Sequence, residues 1–151
     1  MLIKDEYKLY HRTMEIIESI LLAQTPEKIW EYMMLVSTDV EWRTDYSKTE
    51  WTSKPPYGIG STGVHHHKKM GAIPWKIIKW EEGKHMEWLI GDSRFAGSIG
   101  SYHVEAENGG SRVTVHSKMV VPFLMRAIMA LLGRKVVKAD LRRLKAIMEN
   151  K

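Results

Sequence analysis

Two hydrophobic patterns follow each other near the start of the chain. Residues 13–23 (TMEIIESILLA) are rich in β-branched and apolar side chains, which is typical of a strand. Thr25 can then cap a helix whose first position is Pro26. The helical segment PEKIWEYMMLV should end near residues 37–39. It places four apolar side chains on one side: Ile29, Trp30, Met33 and Met34.

The middle of the chain alternates short apolar runs with turn signals. The strongest of these signals is Asn108-Gly109-Gly110, which predicts a tight hairpin. Consecutive short strands joined by tight turns predict an antiparallel meander and not a parallel sheet. The predicted strands after the first helix cover residues 46–52, a stretch from Gly60 to the turn at Gly71, 73–80, 85–90, 95–106 and 112–119.

The pattern changes after Pro122 and stays helical. Apolar residues recur at steps of three and four: Leu124, Ile128, Leu131, Leu132, Val136, Ala139, Leu144, Ile147 and Met148. Arg134, Lys138, Arg142 and Lys145 lie on the opposite side, so the segment predicts one amphipathic helix of about seven turns. Gly133 weakens this helix by roughly 1 kcal/mol unless a close contact needs its bare backbone.

This order of elements predicts an α+β fold in a single domain covering residues 1–151. A strongly twisted antiparallel sheet of six or seven strands curls, and the long C-terminal helix can lie across its concave face and bury its apolar stripe there. Short helices should separate the first and second strands. A helix laid against a curved sheet leaves space at one end, which is a natural ligand cavity.

Several segments, in this order, resemble START-like (SRPBCC) domains of the polyketide cyclase/dehydrase type. They are IIESILLAQTPEKIWEYM, Trp42 after the first helix, Gly60-Ser61-Thr62, KWEEGKHMEWLIG, GSYHVEAENGGSRVTV and DLRRLKAIME. The resemblance covers about residues 14 to 149 and implies the helix-grip fold with a hydrophobic pocket. It supplies no catalytic signature, because the family contains cyclases, aromatases, lipid carriers and hormone receptors. Fold analogy therefore leaves the activity open.

Composition narrows the chemistry further. The chain has no cysteine, which excludes disulfides, thiolate metal sites and a cysteine nucleophile. No apolar run at the N-terminus has signal-peptide length, and residues 120–132 are too short to span a bilayer, so a cytoplasmic protein is expected. The net charge of +5 is dispersed except around residues 134–145, and no nucleic-acid motif is present. We expect neither a nucleic-acid partner nor a cofactor.

Aromatic and thioether side chains are the main candidates for lining the cavity. Alternation along the later strands turns Met86, Trp88, Tyr102, Val113 and Val115 inward. Trp42 and Trp75 add apolar area with a polar tip, while Trp30 and Trp80 are assigned to packing. Met125 and Met129 stand near the start of the long helix, where the resemblance places the pocket opening. Each of these residues could instead simply fill the core.

Three consecutive histidines, His65-His66-His67, raise the question of a metal or an acid–base group. Successive strand residues alternate sides, so at most two of them point the same way. No third ligand is evident nearby, and no metal site is predicted. In phase with Thr62 and Val64, His66 is the histidine expected to face the cavity, with Val64 beside it. His66 and Tyr102 are the candidates for proton transfer; the alternative for His66 is an exposed or hydrogen-bonded strand histidine.

Three functions remain open at this stage. The first is binding or transport of a lipid-like, aromatic or polyketide-like molecule in the cavity, driven by burial of apolar area. The second is a cyclase or dehydratase that uses the same cavity. The third is a protein-interaction or peripheral membrane module that uses Arg134, Lys138, Arg142 and Lys145. A charged lid at the pocket mouth is suggested by Asp39, Glu41, Arg43 and Asp45 around Trp42. The ligand and the oligomeric state stay open.

Overall fold

A computed structural model describes residues 11–151 of the protein. The strands are β1 (His11–Leu22), β2 (Tyr46–Trp51), β3 (Thr62–His67), β4 (Gly71–Glu81), β5 (His85–Ile90), β6 (Ile99–Glu107) and β7 (Gly110–Pro122). The helices are α1 (Pro26–Met34), α2 (Asp39–Trp42) and α3 (Arg126–Glu149), with short 3-10 helices at Val36–Thr38 and Phe123–Met125. No helix among these residues combines the length and the hydropathy needed to cross a bilayer.

The seven strands form one antiparallel sheet in the order β1-β7-β6-β5-β4-β3-β2. The meander from β2 to β7 is sequential, and β1 closes the sheet by pairing with β7 over its whole length, from His11 opposite Pro122 to Leu22 opposite Ser111. The predicted α+β helix-grip architecture is confirmed: a curved antiparallel sheet, short helices between β1 and β2, and a long helix α3 at the C-terminal end.

Helix α1 begins where the sequence predicts. The Thr25 hydroxyl accepts a hydrogen bond from the Lys28 backbone N–H at 3.5 Å, and Pro26 occupies the first turn. Trp30 packs edge-to-face on Trp80 with ring centroids 5.5 Å apart, and both indole N–H groups donate to the Glu82 carboxylate. These two tryptophans therefore fix α1 to the sheet, as their assignment to packing predicted.

Helix α3 contacts the sheet differently along its length. In the second half, Leu141, Leu144 and Met148 are buried in the main core. In the first half, Gly133 lies so close to Ile16 of β1 that a Cβ atom would overlap the isoleucine side chain. The close contact that would justify a glycine at this position is therefore present.

The expectation that the whole apolar stripe of α3 is buried is wrong. Leu124, Ile128, Leu131 and Leu132 are 90%, 63%, 59% and 54% exposed. The side chains that face the sheet belong to a neighbouring stripe, which continues from the first half of the helix into the second. It comprises Met129, Gly133, Val137, Asp140, Leu141, Leu144 and Met148.

Residues 39–42 form the short helix α2, closed by a hydrogen bond from the Arg43 N–H to the Asp39 carbonyl at 2.7 Å, and this agrees with the short helices expected between β1 and β2. One strand boundary differs from its sequence-based prediction. The sixth strand begins at Ile99 and not at Phe95. Residues 91–98 form a turn closed by a hydrogen bond from the Ser98 N–H to the Phe95 carbonyl at 3.0 Å.

Candidate functional site

A cavity of about 340 Å³ lies between the concave face of the sheet and the first half of α3. Most of its wall is apolar and comes from several strands and the helix, including Ile16, Ile73, Trp88, Phe95, Met119 and Met129. Gly100 and Ser117 pair between β6 and β7 and line the wall; the Trp88 indole lies directly over Gly100, while the small Ser117 side chain leaves space. The sheet's curvature and this small side chain together create the cavity.

An arginine reaches this cavity from the residue that ends α2. Arg43 lines the wall and donates from Nη1 to the Tyr102 hydroxyl at 2.5 Å and from Nη2 to the Tyr46 hydroxyl at 2.9 Å. Its guanidinium carbon also lies 4.4 Å from the Tyr46 ring centroid. Arg43 forms no ion pair with a carboxylate of residues 11–151. Burial acts to lower its pKa, but Tyr102 and Tyr46, followed by Asp39 and Asp140, outweigh burial and raise the pKa. The group therefore stays cationic.

A buried histidine stands beside the arginine. His65 stacks on Tyr46 with ring centroids 4.6 Å apart, and its Nδ1 lies 3.1 Å from the Thr49 hydroxyl. The Asp39 carboxylate lies on the same side, with its Oδ2 3.9 Å from Nδ1. A proton on Nδ1, facing the Thr49 oxygen and this carboxylate, is the favourable tautomer and leaves the lone pair on Nε2. Within the described part of the chain, Nε2 has no hydrogen-bond partner.

Burial sets the protonation of this group of residues. It is the main cause of the depressed pKa of His65, with the Arg43 charge second, so the imidazole is neutral at physiological pH. Burial also raises the pKa of Asp39 to about 6, against the opposing effect of Arg43. Asp140, on the sheet side of α3, accepts hydrogen bonds from the Thr44 N–H and hydroxyl, and burial raises its pKa as well.

Eight of the sequence-predicted site residues are distributed over three places. Trp88 and Met129 line the cavity. Trp75, Met86 and Tyr102 line a gap of about 10 Å³ that also touches Trp88 and His65. Trp42, Val113 and Val115 belong to the packed core and are not part of either wall; Trp42 lies 5.8 Å from Tyr102 between ring centroids.

The predicted orientation of β3 is wrong. Val64 and His66 lie on the outer face, where His66 Nε2 is 3.8 Å from a Glu50 carboxylate oxygen, while His65 and His67 line the cavity. The cause is a glycine: Gly63 pairs with Trp75 on β4, and a Cβ at residue 63 would overlap the indole. This packing fixes odd-numbered residues of β3 inside.

Two further expectations are also corrected. Met125 is about half exposed and does not reach the cavity, because it belongs to the 3-10 turn before α3. The residues around Trp42 do not form a charged lid, because Asp39 is buried and Arg43 points into the cavity from α2. No group of three or more His, Asp or Glu side chains in residues 11–151 is arranged to hold a metal ion.

The polar end of the cavity was only partly found in the sequence: Tyr102 was named as a candidate, and Asp39 and Arg43 were named but assigned to a lid. The members not found are Tyr46, Thr49, His65 and Asp140. One signal was available: Asp140 stands four residues from both Val136 and Leu144, so an acidic side chain interrupts the apolar side of a helix. A carboxylate at such a position needs polar partners in the interior.

Sequence comparison identifies the family. A family model described as polyketide cyclase/dehydrase and lipid transport matches residues 13–149. The chain belongs to this family. The curated relatives of this family member include an uncharacterised protein of Mycobacterium bovis and one of Mycobacterium tuberculosis. Each is 29% identical over 132 residues, which cover 81% of this chain and 78% of the relative.

Solved structures support the fold of this polyketide cyclase/dehydrase family member. A START superfamily protein from Mycobacterium smegmatis matches 90% of this chain and 97% of its own, with a TM-score of 0.77 at 10% identity. The Zhui aromatase/cyclase of a Streptomyces species matches 91% of this chain and 94% of its own, with a TM-score of 0.73 at 11% identity. The di-domain aromatase/cyclase StfQ of the steffimycin pathway also has a TM-score of 0.73, at 10% identity. The match covers 97% of this chain but only 53% of StfQ, so the chain spans about half of that protein.

Proposed function

We propose that this family member binds a small, largely apolar molecule in the cavity between the sheet and α3, with an oxygen-bearing end directed at Arg43. The observation that carries the proposal is the division of the wall into an apolar majority and one polar end formed by Arg43, Tyr46 and His65. A cavity of about 340 Å³ falls within the range of small-molecule sites. Burial of the ligand's apolar surface supplies the driving force.

The polar end favours a particular hydrogen-bonding pattern in the ligand. The Arg43 guanidinium has N–H groups beyond the two that reach tyrosine hydroxyls, and the Tyr46 hydroxyl keeps its own proton to donate. These groups suit an acceptor oxygen, such as a carbonyl or a carboxylate. Neutral His65 offers the lone pair of Nε2 and suits a hydroxyl or an enol. A ligand with both groups at one end of an apolar body fits this pattern.

A second candidate is an enzyme of the cyclase or dehydratase type, and His65 is the observation that favours it. Its Nε2 carries a lone pair in a dry site, while Thr49 and Asp39 behind Nδ1 would stabilise a transferred proton. In such a reaction Nε2 would remove a proton from carbon beside a carbonyl, and Arg43 would stabilise the oxygen on which negative charge develops. Two structural neighbours are named as aromatase/cyclases.

Native mass spectrometry of freshly purified protein tests the binding proposal. We expect the wild-type chain to carry an apolar molecule and Ser117→Phe, which fills the cavity wall, to lose it. The matched control is Thr114→Phe, on the outward side of the same strand. Loss of the molecule from both variants, or from neither, would contradict a site in this cavity.

The same molecule distinguishes a carrier from an enzyme. We incubate it with wild-type protein, His65→Gln and Arg43→Met, and follow its mass by chromatography. A carrier returns it unchanged in every case, and Arg43→Met weakens binding because the acceptor oxygen loses its cationic donor. An enzyme converts it, and His65→Gln retains binding but blocks conversion. Unchanged binding by Arg43→Met would remove Arg43 from the site.

A further inference from the structure

The exposed apolar residues at the start of α3 form one continuous stripe. Leu124, in the 3-10 turn before α3, and Ile128, Leu131 and Leu132 of α3 follow a three- and four-residue spacing, and each is more than half exposed. Large apolar side chains gathered on one surface mark an interaction site more often than scattered ones do. The stripe lies outside the packed core of residues 11–151.

This apolar stripe borders the opening of the cavity. Leu132 belongs to the stripe and also lines the cavity wall. The half-exposed Met70 of the β3–β4 turn lines the same wall. In an antiparallel meander, alternate connections lie at the same end of the sheet. The β3–β4 turn, the 91–98 loop and the start of α3 therefore meet at one end, where Met70, Phe95 and Met129 line the cavity.

Three segments at this end carry a net positive charge; Asp45, whose backbone carbonyl accepts from the Lys68 N–H at 2.8 Å, is an acidic neighbour outside them. Segments 68–70, 91–98 and 123–135 contain one acidic residue, Asp92, and six basic residues: Lys68, Lys69, Arg94, Arg126, Arg134 and Lys135. Six minus one is +5, which equals the net charge of the whole chain, so the remaining residues together are neutral. None of these six side chains forms an ion pair with a carboxylate of the described residues. At the opposite end, Glu82 and Lys84 cancel within the β4–β5 turn.

We propose that the mouth of the cavity docks on the surface of an anionic lipid bilayer, with the apolar stripe of α3 inserted at the acyl boundary. Apolar side chains flanked by unpaired cations are the pattern of helices that lie in the membrane interface. Anionic headgroups complement the six cations. Three of the six are lysines, which are depleted in protein–protein interfaces. The inference extends the proposed function, because a molecule leaving the cavity would pass directly into the bilayer.

Vesicle sedimentation with the full chain tests the docking. We expect wild-type protein to pellet with vesicles of phosphatidylcholine and phosphatidylglycerol, to bind phosphatidylcholine alone much more weakly, and to dissociate as salt is raised. The double variant Ile128→Gln/Leu131→Gln should bind roughly tenfold more weakly or worse, because both side chains lose their burial in the bilayer. Neither residue lines the cavity.

The matched control is Ile17→Gln/Leu35→Gln, which removes two apolar side chains of similar exposure, 57% and 58%, elsewhere on the surface. It should bind vesicles like wild type, and thermal unfolding should show both double variants folded. Arg134→Gln/Lys135→Gln should lose the preference for phosphatidylglycerol.

Because Ile128 and Leu131 lie outside the cavity, Ile128→Gln/Leu131→Gln should keep the co-purified molecule, and Ser117→Phe should keep vesicle binding. Failure of docking and failure of the cavity proposal are therefore distinguishable.

Three results would overturn the docking. The first is no binding of wild-type protein to phosphatidylglycerol vesicles, as expected if a protein partner covers the stripe. The second is equal loss of binding in Ile128→Gln/Leu131→Gln and in Ile17→Gln/Leu35→Gln. The third is a dimer in analytical ultracentrifugation that Ile128→Gln/Leu131→Gln abolishes, which would assign the stripe to a second copy of the chain.

Discussion

At the residue scale, the site is defined by two titratable groups whose charged forms are disfavoured by burial. Asp39 and His65 are buried next to each other, with Oδ2 and Nδ1 3.9 Å apart and the Thr49 hydroxyl 3.1 Å from Nδ1. Burial raises the pKa of the carboxyl group and lowers that of the imidazole. Instead of an ion pair, the interior holds a neutral base beside the permanent charge of Arg43.

The raised pKa of Asp39 predicts a pH-dependent stability. Folding raises this pKa from 3.8 to about 6, so the folded state holds the proton more tightly, and stability falls as pH rises through this window. Each tenfold change in the acid dissociation constant corresponds to about 1.36 kcal/mol. Ionised Asp39 therefore lowers the free energy of unfolding at neutral pH by roughly 3 kcal/mol. Asp39→Asn should therefore gain stability relative to wild type between pH 4 and pH 8, as measured by urea unfolding at each pH.

The control for this measurement is Asp92→Asn, at an exposed loop position, which should track wild type at every pH. His65 contributes a pH dependence of the opposite sign, because its depressed pKa lets stability fall as pH drops below 6.5. That contribution is present in both proteins and cancels in the comparison. A difference between Asp39→Asn and wild type that does not change with pH would show that Asp39 ionises in the fold without cost.

At the element scale, the sequence predicts where the strands lie but does not show, for every strand, which residues face the interior. Strands β5 and β7 each contain several large apolar side chains in alternation, so Trp88 and Val113 could be assigned to the interior from sequence. Strand β3 reads TGVHHH, and its single large apolar residue, Val64, points outward. Its register is decided by a partner on the next strand, Trp75 over Gly63, which one-dimensional alternation does not contain.

The same limit applies to α3. The three- and four-residue spacing identified the helix, but two neighbouring stripes are apolar in its first half. Periodicity alone does not show which stripe meets the sheet. The polar end of the cavity was hidden for a related reason: Arg43 and Asp140 are about a hundred residues apart in sequence, and the fold brings both into the wall of one cavity.

The Trp75–Gly63 contact predicts a steep cost for a single methyl group. In Gly63→Ala, the new Cβ would overlap the indole, so either the Trp75 side chain or the β3 backbone must move. Overpacking of this kind costs about 1–3 kcal/mol, which thermal or urea unfolding measures directly. The control is Gly58→Ala, where no atom lies within 4 Å of the added methyl. Equal stability of the two variants would show that Trp75 does not fix the face of β3.

At the scale of the whole molecule, the two ends have different physical characters. One end is packed: Leu141, Leu144 and Met148 of α3 are buried in the core, and the Gln24 side chain donates to the Met148 carbonyl at 2.9 Å. The other end contains the cavity, and much of the apolar surface of the first half of α3 is exposed there. Local stability follows burial, so one helix should join a stable region to a more easily opened one.

Hydrogen exchange measures this difference within α3. Amides in residues 127–137 should exchange at least about tenfold faster than those in residues 141–148, because fewer buried contacts oppose local opening. Binding of the co-purified molecule adds contacts beneath the first half and should narrow the difference. Ser117→Phe, which fills part of the cavity wall, should show no response to that molecule. Uniform exchange along α3, with or without the molecule, would mean that the helix opens as one unit and that the cavity does not weaken its first half.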